Sequence, residues 1–225
     1  MELVRVENVH KKYIIDTQEV VALDGATLSI KKGEFAAIAG PSGSGKSTLL
    51  NMIGCIDTPS SGKVFIDGID VSNQTPDQLS DFRAVSIGFI FQTFNLFPVL
   101  SAEENVDYPL LLQKNITKQE REYRVRKYLG IVGLSGHLKH RPTQLSGGQR
   151  QRVAIARALA TEPKIILADE PTANLDSKTG AGILQLMKEI NETTGATFIF
   201  STHDQRVMDM AGNLIKISDG KIISD

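Results

Sequence analysis

Gly40-Pro41-Ser42-Gly43-Ser44-Gly45-Lys46-Ser47, followed directly by Thr48, has the spacing of a phosphate loop: Gly, four residues, then Gly-Lys-Ser. Each residue type has a physical task. Gly43 and Gly45 permit a tight backbone turn, so successive N–H groups can point inward at a chain of phosphates. Lys46 brings a mobile positive charge to the outer phosphates, and the Ser47 hydroxyl is a hard oxygen ligand suited to Mg2+. The flanks agree. Phe35 to Ala39 is an apolar run that reads as a strand entering the loop, while Leu49, Leu50, Met52 and Ile53 pattern a buried helix leaving it. Such a helix aims its positive N-terminal end at bound phosphates. The implied ligand is a nucleoside triphosphate.

The 225 residues suit one large domain or two small lobes sharing a core. Hydrophobic content of 41% and charged content of 23% are those of an ordinary globular protein. A formal net charge of −1 gives no electrostatic reason to expect nucleic acid as the partner. Cys55 is the only cysteine, which excludes an intramolecular disulfide and a cysteine-based metal cluster. It reads as a buried structural thiol in a reducing cytoplasm. No apolar run approaches the roughly 18 residues of a spanning helix, and Met-Glu-Leu-Val-Arg does not read as a signal peptide. Work at a membrane would need another chain to span it.

Leu3 to Val9 alternates as a half-exposed strand, and Val20 to Ile30 reads as another, joined through Lys32-Gly33 to the loop strand. Tyr13 fits two readings, strand packing or an aromatic plate for a nucleotide base. Lys63 to Ile66, between Ser60-Ser61-Gly62 and Asp67-Gly68, carries a hairpin signal. Ile87 to Phe91 is a compact apolar strand ending at Gln92, which is either a strand terminus or a residue facing the ligand crevice. Ser101 to Glu104 and Thr117 to Glu120 match the capping box that opens helices. With its charged helical run to about Leu134, the middle segment reads as a helical lobe inserted between two parts of a nucleotide-binding core.

Leu145-Ser146-Gly147-Gly148-Gln149 opens a strong helix, Arg150 to Ala160, with Ser146 at the N-cap. Its exposed N–H groups make a second anion site, which the helical lobe would hold apart from the first. Ile165 to Ala168 is a buried strand ending in Asp169-Glu170. Two adjacent carboxylates there are costly unless they meet a cation or water. Asp169 suits Mg2+ as the partner of Ser47, and Glu170 is placed to polarise an attacking water. Ala173 to Asp176 reads as a turn and helix entry, followed by the apolar stripe Ile183, Leu184, Met187, Ile190 and a stop near Gly195. Thr197 to Phe200 is the next strand, with His203 at its carboxyl edge where a histidine reads as functional. A hairpin about Asp219-Gly220 closes the chain.

Taken in order, these stations resemble the ATP-binding subunit of an ABC transporter along essentially the whole chain. Lys12-Tyr13 is similar to the A-loop, Gly40 to Ser47 to the Walker A and Gln92 to the Q-loop. Leu145 to Gln149 is similar to the signature motif, Ile165 to Glu170 to the Walker B, Ala173 to Asp176 to the D-loop and His203 to the switch histidine. The resemblance implies an α/β P-loop NTPase fold with a mixed core sheet, an antiparallel β subdomain and an inserted helical subdomain. It implies a single ABC domain over 1–225, with core and β subdomain at about 1–92 and 160–225 and helices at about 93–159. It further implies an ATPase that forms a head-to-tail dimer around two ATP molecules. Tyr13 would stack on adenine, Lys46 hold the phosphates, and Ser47, Gln92 and Asp169 organise Mg2+. Ser146 to Gln149 would come from the other chain, with Glu170 as general base and His203 on the γ-phosphate.

Glu19 to Asp24, Phe94 to Pro98, Ser101 to Val106 and Pro171 to Asp176 are similar to the lipoprotein-releasing and macrolide-exporting branch. That similarity implies an integral-membrane partner on a separate chain, docked around Thr93 to Leu100. The chain would then sit in the cytoplasm, on the inner face of the cell membrane. The alternatives are a soluble relative acting on ribosomes or DNA, and an ATP-locked scaffold such as a cell-division complex.

Overall fold

Phe35–Ala39, the strand that delivers the phosphate loop, is β3, and all five of its residues are buried. The computed structural model describes residues 1–113 and 116–223. β3 lies inside a six-stranded sheet of order β10-β9-β3-β8-β7-β6. Its other members are β6 (Ile87–Ile90), β7 (Ile165–Asp169), β8 (Thr197–Thr202), β9 (Asn213–Ser218) and β10 (Lys221–Ile223). Neighbours from β6 to β9 pair in parallel, and only β10 runs antiparallel, at the edge. A second sheet, entirely antiparallel, has the order β2-β1-β4-β5. It consists of β1 (Glu2–Ile15), β2 (Gln18–Lys31), β4 (Ser61–Ile66) and β5 (Ile69–Asp70).

The parallel strands are covered on both faces, so their apolar runs divide by parity between two cores. Phe35, Ala37, Ile166, Ala168, Phe198 and Phe200 pack toward α3 (Ala102–Asp107), α4 (Lys118–Ile131), α5 (Gly147–Ala160) and α6 (Ser177–Thr194). Ala36, Ile38, Ile165, Leu167 and Ile199 pack toward α1 (Lys46–Ile53) and the antiparallel sheet. The Phe35 and Phe200 rings are 4.6 Å apart, and burying each such side chain contributes roughly 1.5–3 kcal/mol. α3, α4 and α5 lie in sequence between β6 and β7.

Two helices escaped the sequence reading. α2 (Pro76–Ser86) opens with a full capping box from Thr75 and Gln78 and a proline in its first turn, a signature visible in Thr75-Pro76-Asp77-Gln78. α7 (Gln205–Met210) is a short helix capped by Asp204. The Ser101 box is reciprocal as expected. At Thr117 only half of the box forms: its hydroxyl accepts from the Glu120 N–H, while the Glu120 carboxylate turns to Arg124 at 2.7 Å. A full positive charge one turn on is the stronger partner. β1 continues past Val9 to carry Tyr13 within the strand, and Cys55 is buried as expected.

Candidate functional site

Parallel pairing brings the carboxyl ends of four strands to one edge. Ala39 stands opposite Thr202, Asp169 opposite Ser201, and Ile90 opposite Ala168. The phosphate loop, Asp169-Glu170, His203 and Gln92 therefore emerge together, where open α/β sheets bind ligands.

At Gly40 a side chain has no room, because a Cβ would lie 2.1 Å from the Ile217 carbonyl oxygen and 2.8 Å from Ser44 Oγ. Gly45 has φ +101°, and its Cβ would lie 2.5 Å from the Ala22 carbonyl oxygen. α1 starts immediately after it with no side-chain cap and no acidic residue in the first turn, leaving its positive end uncompensated. The Lys46 ammonium donates to the carbonyl oxygens of Gly40 (2.8 Å) and Pro41 (2.7 Å), spanning the loop. Ser44 Oγ is buried and has no hydrogen-bond partner among the described residues.

Ser47 Oγ lies 3.4 Å from each carboxylate oxygen of Asp169, the outer limit of a hydrogen bond. Ser47 and Asp169 bring a hydroxyl and a carboxylate together, and Gln92 lines the same cleft as Ser47; these are oxygen-bearing side chains of the kind that fits Mg2+. Among the described residues no cluster of three or more His, Cys, Asp and Glu could hold a metal by itself. Such an ion would need further oxygen ligands from water or from a bound phosphate chain.

Glu170 adopts the left-handed φ of +45°. Its N–H donates to the Ser201 carbonyl at 2.9 Å, and that β8 contact holds the turn. The turn brings Glu170 Oε1 to 2.6 Å from His203 Nδ1, with the glutamate side chain 17% exposed and the histidine 71%. Both side chains, with Lys46, Ser47 and Gln92, line one cleft of about 610 Å3. The Gln92 carbonyl accepts from Asn174 Nδ2 at 2.9 Å, which ties the residues after β6 to those after β7.

Tyr13 and the Leu145–Gln149 segment stand outside the cleft lining. The Tyr13 hydroxyl donates to Asp57 Oδ2 at 2.9 Å, although Val20, its partner in the β1–β2 register, does line the cleft. Ser146 caps α5 reciprocally: its Oγ accepts from the Gln149 N–H (3.2 Å), and Gln149 Oε1 accepts from the Ser146 N–H (2.9 Å). This orients the Gln149 amide toward His137 Nε2, 3.2 Å away. Gly148 packs closely on α6: a Cβ there would lie 2.5 Å from Thr179 Cγ2, so the threonine side chain would have to move. Pro41, Ser42, Gly43, Gly147 and Thr48 occupy the loop and helix-entry positions expected of them.

Sequence reasoning missed the cleft wall of Val20 and Val21 and the buried Ser201 hydroxyl without a described partner; it marked the turn at Ala173 to Asp176 but not the bond from Asn174 to Gln92. Ser201 sits two residues before His203 and was within reach of the same strand-edge logic. For Val20 and for the partner of Asn174 no local signal exists, because both depend on which strands pair.

Residues 23–173 match a family model described as ABC transporter. The uncharacterized ABC transporter ATP-binding protein MJ0796 of Methanocaldococcus jannaschii is 48% identical over 223 residues, covering 98% of this chain and 95% of that protein. The macrolide export ATP-binding/permease protein MacB of Brucella melitensis biotype 1 is 46% identical over 99% of this chain, which spans only 34% of MacB. Among solved structures, a dimeric post-hydrolysis state of the ATP-binding cassette MJ0796 bound to ADP and Pi superposes with a TM-score of 0.88. It is 47% identical, and the match covers 98% of this chain and 97% of that one.

Proposed function

The chain belongs to the ABC transporter ATP-binding family, and from that premise we propose that it is an ATPase subunit that closes head to tail around ATP and drives a separate membrane subunit. The observation that carries this reading is the gathering of Lys46, Ser47, Gln92, Glu170 and His203 along one cleft, with Asp169 beside Ser47. A dimeric neighbour bound to ADP and Pi supports the nucleotide and the assembly.

In this mechanism the phosphate loop, residues 40–48, cradles the phosphates with its N–H groups, and Lys46 leaves its two carbonyl partners for the outer phosphates. Ser47, Asp169 and Gln92 hold Mg2+, which when bound neutralises charge on the phosphates. Glu170 is the general base on water. His203, 2.6 Å away, orients the carboxylate and contacts the γ-phosphate. Ser146 to Gln149 lie outside the chain's own cleft and serve the cleft of a second copy, with helix α5 supplying N–H donors. Tyr13 stacks on the adenine ring. The chemistry asked of the protein is positioning and charge stabilisation.

The membrane partner docks around Thr93 to Leu100. Phe97 and Val99 are exposed there, the Phe97 ring lies 4.7 Å from that of the exposed Tyr108, and Leu111 and Leu112 are exposed further along the chain. Residues 93–159 act as a helical subdomain moving against a core of about 1–92 and 160–225. No helix among the described residues is long and apolar enough to cross a membrane. By its likeness to transporter ATP-binding proteins, the subunit in this reading works on the cytoplasmic face of the cell membrane, held there by its partner. The likeness to the macrolide export protein MacB favours export as the process served, with lipoprotein release the other process of the branch that the sequence motifs resemble.

Two measurements test the reading. Purified protein should release phosphate from ATP in the presence of Mg2+. A tagged Glu170→Gln chain, solubilised gently from native membranes with ATP and Mg2+, should co-purify with an integral-membrane protein. Recovery of ribosomes or DNA-bound complexes with no membrane protein would leave the ATPase intact and remove the transporter.

A further inference from the structure

Tyr13 is held far more firmly than a strand residue at a sheet's end requires. Asp57, in the turn after α1, accepts from its hydroxyl at 2.9 Å through Oδ2. The other carboxylate oxygen accepts from Lys11 Nζ and from the Thr58 N–H, both at 2.7 Å. Lys11 Nζ donates as well to the Thr58 carbonyl at 2.7 Å and stands 5.0 Å from the centre of the Tyr13 ring. The turn carrying Asp57 is itself fixed: the Ile56 N–H donates to the Asn51 carbonyl (3.0 Å), and Arg83 donates to the Cys55 carbonyl (2.5 Å). Lys11 is only 12% exposed and Asp57 30%, so the pair is shielded from the solvent that weakens surface ion pairs. Burial alone pushes the Asp57 carboxyl up, but donation from Lys11, the Thr58 N–H and Tyr13 outweighs it and keeps the group ionised. Burial and the neighbouring carboxylate push the Tyr13 phenol up, keeping it a donor.

We infer that Asp57 is a positioning residue for nucleotide recognition: with Lys11 it fixes the Tyr13 ring, opposite Val20 of the cleft wall, so that the ring is pre-set to receive the base. The inference rests on the reading of Tyr13 as the base plate. The physical reason is preorganisation. A tyrosine free to rotate must be ordered when the base stacks, and that ordering subtracts from affinity; a ring already anchored on a fixed turn avoids the loss. Asp57 acts only through Tyr13, so it should matter for a ligand with a base and not for a bare phosphate chain.

The test compares binding of ATP and of inorganic tripolyphosphate by calorimetry in the full chain. Tyr13→Ala should weaken ATP about tenfold, the scale of one lost base–aromatic stack. Asp57→Ala and Tyr13→Phe, which break the anchor from either side, should each weaken ATP about threefold. The double variant should also lose about threefold rather than ninefold, since both remove the same link. Tripolyphosphate affinity should stay within about twofold throughout, as the phosphate loop is untouched. Should Asp57→Ala fold poorly, Tyr13→Phe alone still interrogates the anchor. If Tyr13→Ala weakens ATP while Tyr13→Phe and Asp57→Ala do not, the anchor is refuted and the base plate stands. Unchanged ATP binding in Tyr13→Ala would overturn both. Equal weakening of tripolyphosphate would also overturn the inference, by showing that Asp57 acts on the phosphate loop.

Discussion

Replacing Glu170 by glutamine changes one proton acceptor and little else. The amide has the carboxylate's shape, and the backbone at φ +45° is held by the Glu170 N–H to the Ser201 carbonyl, which the substitution leaves in place. The side chain sits 2.6 Å from His203 Nδ1, and an amide can keep a hydrogen bond there. What disappears is basicity. General-base catalysis contributes about 10²–10⁴-fold, or roughly 3–5.5 kcal/mol of barrier. Single-turnover phosphate release should therefore slow by that factor. Nucleotide affinity should change less than about threefold, because phosphate binding falls to Lys46 and the loop N–H groups. Light scattering should show a dimer with ATP that persists in the variant and decays in the unsubstituted protein. Phosphate release at the normal rate would refute the assignment of Glu170 as base, and a tenfold loss of ATP affinity would show instead that it binds phosphate.

Five further outcomes follow from the packing and electrostatics. Gly40→Ala places a Cβ 2.1 Å from the Ile217 carbonyl oxygen, so the loop must shift; ATP affinity should fall at least about tenfold, read by calorimetry. Asn105, fully buried, accepts from the Phe97 N–H and donates to the carbonyl oxygens of Phe97, Leu100 and Ser101. Its replacement by alanine strands those groups at a cost of about 2–3 kcal/mol, a fall in Tm of roughly 4–12 °C, and a shift under about 2 °C would contradict it. Burial pushes the Cys55 thiol up from 9.0 to about 11, so alkylation at pH 8 should fail in the native protein and proceed on unfolding. Because the unfolded thiol ionises first, this group should also cost stability as pH rises above about 9, checked by denaturant midpoints against Cys55→Ala. Ser47→Ala or Asp169→Asn should each raise the Mg2+ concentration for half-maximal phosphate release at least about tenfold, and chelation should abolish release.

Local chemistry made much of this molecule legible before any contact was known. Gly40 to Ser47 needs glycines for its backbone angles and a lysine and hydroxyl for its ligands, all in one contiguous segment. The same holds for the α5 entry at Ser146, for Asp169-Glu170 at the end of an apolar strand, and for the Gly195 stop, whose φ of +69° suits glycine. Each of these depends on neighbours within a few residues, so composition and spacing suffice to read it. Pairing between distant strands decided the rest. It put Ser47 against Asp169 across 122 positions, bent Glu170 onto His203 by bonding to Ser201, and set Asp57 under Tyr13. It also kept the Ser146 cap outside the cleft, with Gly148 against Thr179, leaving that motif for a second copy to use in the proposed dimer. Ligand-binding residue types declare themselves locally because their chemistry is intrinsic. Their partners do not, because sheet order and register depend on the burial of two whole cores rather than on any one segment.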